Sequence, residues 1–103
     1  MEISLSDLKE LWSPESKQSA FRVGEKYLIR TVTLYYTGRI KKILSDEIVL
    51  EDAAWIADTG RFNNCLKSGT FDEVEPFVAD VIVPRGCIID ATIWSHDLPR
   101  EQK

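Results

Sequence analysis

The stretch WIADTGRFNNC, opening at Trp55, gathers Trp55, Asp58, Thr59, Arg61, Asn63 and Asn64 within one short segment. An aromatic face, a guanidinium and carboxamides so close together can stack a nucleobase, hold a phosphate and read base edges. The structural alternative is a short helix capped by Asp58 or Thr59, with Trp55 packed into the core. Sequence leaves both open, and Trp55, Arg61 and Asn64 stand as candidate ligand-binding residues.

A second candidate lies in VIVPRGCIIDATIW, residues 81–94, where Pro84-Arg85-Gly86-Cys87 divides two runs of β-formers. Gly86 is predicted to supply positive φ at a tight reversal. A reversal makes no demand for Arg85, which is either a phosphate or base contact or a solvated loop residue. Tyr35 and Tyr36 are adjacent, so in a strand they face opposite sides of the sheet. One belongs to the core and the other is a possible stacking platform, with Tyr36 the candidate for ligand contact. Arg39, Lys41 and Lys42 surround Ile40. A solvated face is the usual fate of such a run, and Arg39 is retained as a candidate.

Other chemistry is poorly represented. Cys65 and Cys87 have no Cys-x-x-Cys spacing, and His96 is the single histidine. Zinc ligation is therefore not expected, and the cysteines read as small buried apolar groups. His96 has no recognisable nucleophile beside it. No activated nucleophile or metal-ligand spacing supports an enzyme, and no cofactor is expected. Asp90 sits in an apolar strand; facing inward it needs a partner, with a cation from a neighbouring subunit as one candidate.

The elements that position these groups are read from periodicity. Ser4 caps a first helix, with Asp7 at the capping-box position and Ile3 stapled on Leu8. Leu5, Leu8, Leu11 and Trp12 make one apolar face, and Pro14 ends it. Residues 13–20 form a polar linker. Strands are predicted over 27–36 and 39–44, separated by a bend or bulge near Thr37-Gly38, and a third follows Ser45-Asp46-Glu47. A helical insertion over 58–70 puts Phe62, Cys65 and Leu66 on one face and closes at Gly69. TFDEVEPF reads as an acidic connector, VADVIV and CIIDATIW as the last two strands, and 95–103 as a polar tail. Five twisted strands in a short chain favour a small barrel, because closure removes exposed edges. The expected fold is mainly β, a bent five-stranded barrel with an N-terminal helix and a short helical insertion.

The chain has 103 residues, 44% hydrophobic and 29% charged, as expected of one globular domain spanning 1–103. A net charge of −4 and a pI near 5.0 argue against gripping duplex DNA, which needs a dense basic patch. The start, MEISLSDLKELW, is acidic and lacks an apolar signal core. No apolar run approaches a membrane span. A cytoplasmic setting with free thiols is expected.

YTGRIKKILSDEIVLEDAA resembles the first sequence block of Sm-like proteins: a glycine in a bent second strand, alternating apolar positions, a short loop, and a third strand ending near Leu-Glu-Asp. VIVPRGCIIDATIW is similar to the second block, with Arg-Gly between two apolar strands. The resemblance covers roughly two-thirds of the chain, omitting residues 58–80 and both ends. It implies a ring of identical subunits, the fourth strand of one pairing with the fifth of the next. It also implies nucleotides held between two loops, here Ser45-Asp46-Glu47 and Arg85-Gly86-Cys87. The chain departs from the family where acidic Asp46 and Glu47 replace the usual asparagine, since a carboxylate cannot donate to a uracil carbonyl. Cys87 replaces the polar residue after Arg-Gly, and the insertion is extra.

The reading that follows is a non-enzymatic, ring-forming protein that holds a small nucleotide or nucleotide-derived signal between subunits. Sequestering such a signal would suit a phage protein acting against host defence. The alternatives are a protein that binds short single-stranded RNA and a purely structural or adaptor oligomer.

Overall fold

The computed structural model describes residues 19–103; the helix read in the first twelve residues lies outside them. The described chain is mainly β. Strand β1 (Lys26–Thr31) alternates, with Tyr27, Ile29 and Thr31 on one face and Leu28 and Arg30 on the other. It pairs antiparallel with β2 (Tyr35–Ile43), in register Tyr27 to Gly38 and Arg30 to Tyr35. The reversal therefore falls at Val32–Leu34, inside the stretch expected to run as one strand over 27–36.

No glycine, proline or asparagine marks that turn. Thr31 builds it: its amide donates to the Leu34 carbonyl at 2.7 Å, its hydroxyl donates to the same carbonyl at 2.7 Å, and the Leu34 amide donates to the hydroxyl at 2.9 Å. A threonine closing a turn with its own side chain is a weak sequence signal.

The bend or bulge expected near Thr37-Gly38 is a bulge inside a strand pair. β2 pairs with β3 (Glu47–Asp58), and the register shifts between Thr37 and Arg39. Across from that shift Asp52 takes φ 50°, an uncommon conformation for a residue with a Cβ. Two residues of β3 opposing one of β2 bend and twist the sheet there. A side chain at Gly38 would bring a Cβ within 3.0 Å of the Leu50 Cβ, so the glycine allows β2 and β3 to close on each other.

The other edge of β3 is shared. Its second half, Ala54 to Asp58, pairs with β4 (Glu73–Pro76), and its first half, Glu47 to Leu50, pairs with β5 (Val81–Pro84). Residues 77–80 loop out between them, with the Phe77 amide held to the Ala53 carbonyl at 2.8 Å. A 3-10 turn over Arg85–Cys87 leads into β6 (Ile88–Ile93), which pairs with β1.

The order β4-β3-β2-β1-β6, with β5 also on β3, makes one antiparallel sheet of six strands that is not closed. This corrects the five-stranded barrel. The segment read as an acidic connector supplies the extra strand: Val74 faces the core while Glu73 and Glu75 face outward. With so many acidic positions, the alternation is hard to hear.

Apolar residues gather on both faces. One cluster, built around Tyr27, Ile29, Ile40, Ile48, Leu50, Ala53 and Val83, fills the inside of the bend. The other joins Leu28, Ala54, Ile56 and Val74 to Cys65, Phe71, Trp94 and Leu98. Helix α1 (Phe62–Ser68) covers this second cluster through Cys65 and ends at Gly69, whose φ is 75°. Phe62, expected on the buried face, is exposed, and neither Asp58 nor Thr59 caps the helix; Arg61 occupies the cap position without a side-chain bond.

The tail is not a loose polar end. Trp94 is buried and stacks on Phe71 at 5.1 Å, and Leu98 is buried beside it. Lys103 exchanges both backbone hydrogen bonds with Val74, at 2.9 and 3.0 Å. Leu98 and the ring of Trp94 thus bring residues 95–103 into the fold despite their charge.

Candidate functional site

The strongest constellation forms where the turn after β2 meets the turn after β5. The Arg85 amide donates to the Asp46 carbonyl at 2.9 Å, fixing the two loops side by side. Sequence separates them by a helix and three strands; the pairing of β5 with the start of β3 brings them together. Cys87 follows, its thiol donating to the Pro84 carbonyl at 3.0 Å and its carbonyl accepting from the Val32 amide at 3.3 Å.

Gly86 does not have the conformation expected of it. It lies within the 3-10 turn, and the positive-φ glycines among the described residues are Gly24, Gly60 and Gly69. A Cβ at Gly86 would meet nothing within 4 Å. The reversal is made by the 3-10 turn following Pro84, whose fixed φ suits the approach.

Arg85 is half-buried, and its Nε is shut off from solvent without a hydrogen-bond partner among the described residues. A buried donor left unpaired costs about 1–3 kcal/mol. The ion pairs found among the described residues engage Arg30, Arg39, Lys41 and Arg100 instead. Asp46 is exposed and Glu47 half-buried, so carboxylates flank the guanidinium's loop.

Tyr36 is half-buried against the cluster inside the bend, as are Cys87 and Ile88. Its ring lies 6.0 Å from that of Phe77. Burial, and then the nearby Cys87 thiol, push its hydroxyl above the ordinary range. Tyr35 faces the other way and packs on the opposite cluster, as the alternation required.

The remaining candidates fall elsewhere. Arg39 pairs with Asp52 at 3.1 Å, and Arg100 approaches the same carboxylate at 3.6 Å. Trp55 lines a cavity of about 320 Å³ with Tyr35, Asp58 and Thr59. Arg61 and Asn64 are exposed on α1, where their carbonyls accept from the Cys65 amide and the Ser68 hydroxyl. These residues follow β3, whereas Asp46 precedes it, and α1 covers the face opposite to Tyr36 and Cys87. The structure joins Asp46, Arg85 and Gly86, sets Tyr36 in the cluster with Cys87 and directly across from Trp55, and leaves Arg61 and Asn64 with α1.

Asp90 does find a partner, within the same chain. It stands directly across from Arg30, with Nε donating to Oδ1 at 2.7 Å and a second bond between the other guanidinium nitrogen and Oδ2. The bidentate pair holds the Asp90 carboxyl below its ordinary value and raises that of Arg30. Arg30 also lies over the rings of Phe62 and Tyr35, at 5.7 and 6.0 Å. Sequence reasoning missed this cluster, although its cross-strand pairing follows from register alone.

Compared with known proteins, the chain matches no family model, no curated protein and no solved structure. Among the described residues, no group of three side chains is placed to hold a metal ion, and no helix is long and apolar enough to cross a membrane.

Proposed function

We propose that this protein is a non-enzymatic, Sm-like binding protein that assembles edge to edge into a ring and holds a small nucleotide or nucleotide-derived signal against Arg85. The observation that carries the reading is the Arg85 loop itself: fixed to Asp46 by a backbone bond, with a shielded Nε that lacks a partner. A phosphate oxygen accepting from that guanidinium would offset the cost of the orphaned donor. Tyr36 and Gly86 border the same loops, one offering a ring and the other open space.

Assembly is supported by the edges. Among the described residues β5 is paired only with β3 and β6 only with β1, so each keeps one edge without a partner among them. Ile82 on β5 is 60% exposed, and Ile89 and Ile93 on β6 are 60% and 63% exposed. Open apolar edges of this kind favour pairing with another copy. A head-to-tail contact between two different edges closes into a ring when the rotation permits.

The acidic loop favours a small ligand over uridine-rich RNA, since Asp46 and Glu47 only accept hydrogen bonds when ionised. A thermal-shift panel of mononucleotides, cyclic nucleotides and short oligonucleotides tests the reading. A ligand at about 100 times its Kd adds about 2.7 kcal/mol, which raises Tm by roughly 10 °C or more in a chain of this size. A flat response across the panel would contradict nucleotide binding and leave the adaptor.

A further inference from the structure

β3 outruns the strand beside it. The outermost pair between β2 and β3 joins Tyr35 to Ile56, two residues before β3 ends at Asp58. The chain enters β2 only at Tyr35, because Thr31 closes the preceding turn over Val32–Leu34. A notch of about 320 Å³ is left between that turn and the end of β3, with Thr33, Leu34, Tyr35, Trp55, Asp58 and Thr59 in its wall. Sites for small ligands begin at about this size, roughly 300 Å³.

Trp55 is half-buried and keeps part of its surface in the notch. Among the described residues the aromatic pairs engage Tyr35, Tyr36 and the buried Trp94, and none includes Trp55. The Asp58 carboxylate is fixed beside it, because the Gly60 amide donates to Oδ1 at 2.8 Å and leaves Oδ2 for another partner. Among the described residues no lysine or arginine lines the notch, and Arg61 and Asn64 stand outside it. A phosphate would meet a carboxylate there and no cation. Across β3, Glu75 is directly opposite Trp55 and Glu73 directly opposite Asp58. Residues so opposed lie about 5 Å apart, inside the Debye length of about 8 Å at physiological salt. Arg30, over the Tyr35 ring at 6.0 Å, is neutralised by Asp90. The field at the notch is therefore negative.

We propose that the notch binds a small organic ammonium ion, its charge over the Trp55 ring and beside the Asp58 carboxylate. Indole is the best of the aromatic faces for a cation. Leu34 and Ile56 offer apolar contact to the alkyl groups of such an ion, and Thr33 and Thr59 offer hydroxyls to a polar substituent. A bare divalent metal ion is poorly served, since one carboxylate falls far short of the oxygen ligands it takes. An ion whose charge is wrapped in alkyl groups needs no such set. The inference concerns residues away from the Arg85 loop and does not depend on nucleotide binding or ring formation.

Titration of the full chain with choline, followed through the indole N–H resonances, tests it. The Trp55 resonance is expected to shift with a Kd of about 1 mM or tighter, while that of the buried Trp94 stays in place. The neutral isostere of choline, with carbon in place of nitrogen, should bind at least about tenfold more weakly. By isothermal titration Asp58→Asn should weaken choline binding about fivefold, and Trp55→Leu should abolish it. The Trp94 resonance of each variant reports an intact fold. A Trp55 resonance that choline leaves in place would overturn the proposal. So would equal binding of the neutral isostere, and so would unaltered affinity in both variants.

Discussion

The Arg85 amide and the Asp46 carbonyl meet at 2.9 Å, joining two turns that the chain order keeps thirty-nine residues apart. β5 makes that meeting possible, because it lies along the first half of β3 and delivers its following turn to the start of that strand. The bond is between backbones, so it fixes the loops while leaving the Arg85 side chain for another partner.

Replacing that side chain should affect binding without affecting the fold. Arg85→Ala is expected to weaken nucleotide binding at least about tenfold, the loss of a charge-assisted bond of about 1.5–3 kcal/mol. Stability should hold within about 1 kcal/mol, because the substitution also removes a buried donor without a partner. Arg61→Ala, on the opposite face, should leave affinity unchanged. Isothermal titration of both variants checks the contrast, and equal losses would mean the two arginines share one site.

Two glycines should respond in opposite ways. Gly69 has φ 75° and sits where any Cβ would overlap the His96 side chain. Gly69→Ala should cost about 2–3 kcal/mol in urea unfolding through strain and displacement of the tail. Gly86→Ala meets open space at an ordinary φ and should stay within about 0.5 kcal/mol.

The tail should behave as core. Leu98 is 6% exposed beneath the sheet, and Leu98→Ala is expected to destabilise by about 2–4 kcal/mol. A change below about 0.5 kcal/mol in the unfolding midpoint would return residues 95–103 to the surface.

The Arg30–Asp90 pair sets an acid limb. Its guanidinium lowers the Asp90 carboxyl below the ordinary value of 3.8. A carboxyl lowered on folding contributes stability that is fully present above its unfolded value and lost as pH falls through the folded one. Asp90→Asn should therefore be less stable than the unaltered chain at pH 7, and the gap should narrow as pH drops below about 4. Thermal unfolding across that range measures it; a gap independent of pH would mean the carboxylate acts by packing rather than charge.

Much of the fold was legible because alternation survives in most strands. β3 and β6 read clearly from their β-branched runs, and Gly69 marked the end of α1. The β1–β2 reversal was missed within the stretch read as one strand, because Thr31 makes the turn from its own hydroxyl, while the irregularity at Gly38 serves close packing between β2 and β3. β4 was hidden among glutamates, with Val74 as its single buried residue. Of the candidate residues, Asp46, Arg85 and Gly86 do lie together, whereas composition alone grouped Arg61 and Asn64 with them. Local crowding of polar groups carries no information about which sheet face they occupy.

Native mass spectrometry of freshly purified protein tests the central claim most directly, because it weighs the assembly and any retained molecule together. The account predicts a closed oligomer of identical chains carrying bound nucleotide, and the same oligomer without nucleotide for Arg85→Ala. A single chain with no bound molecule would contradict it.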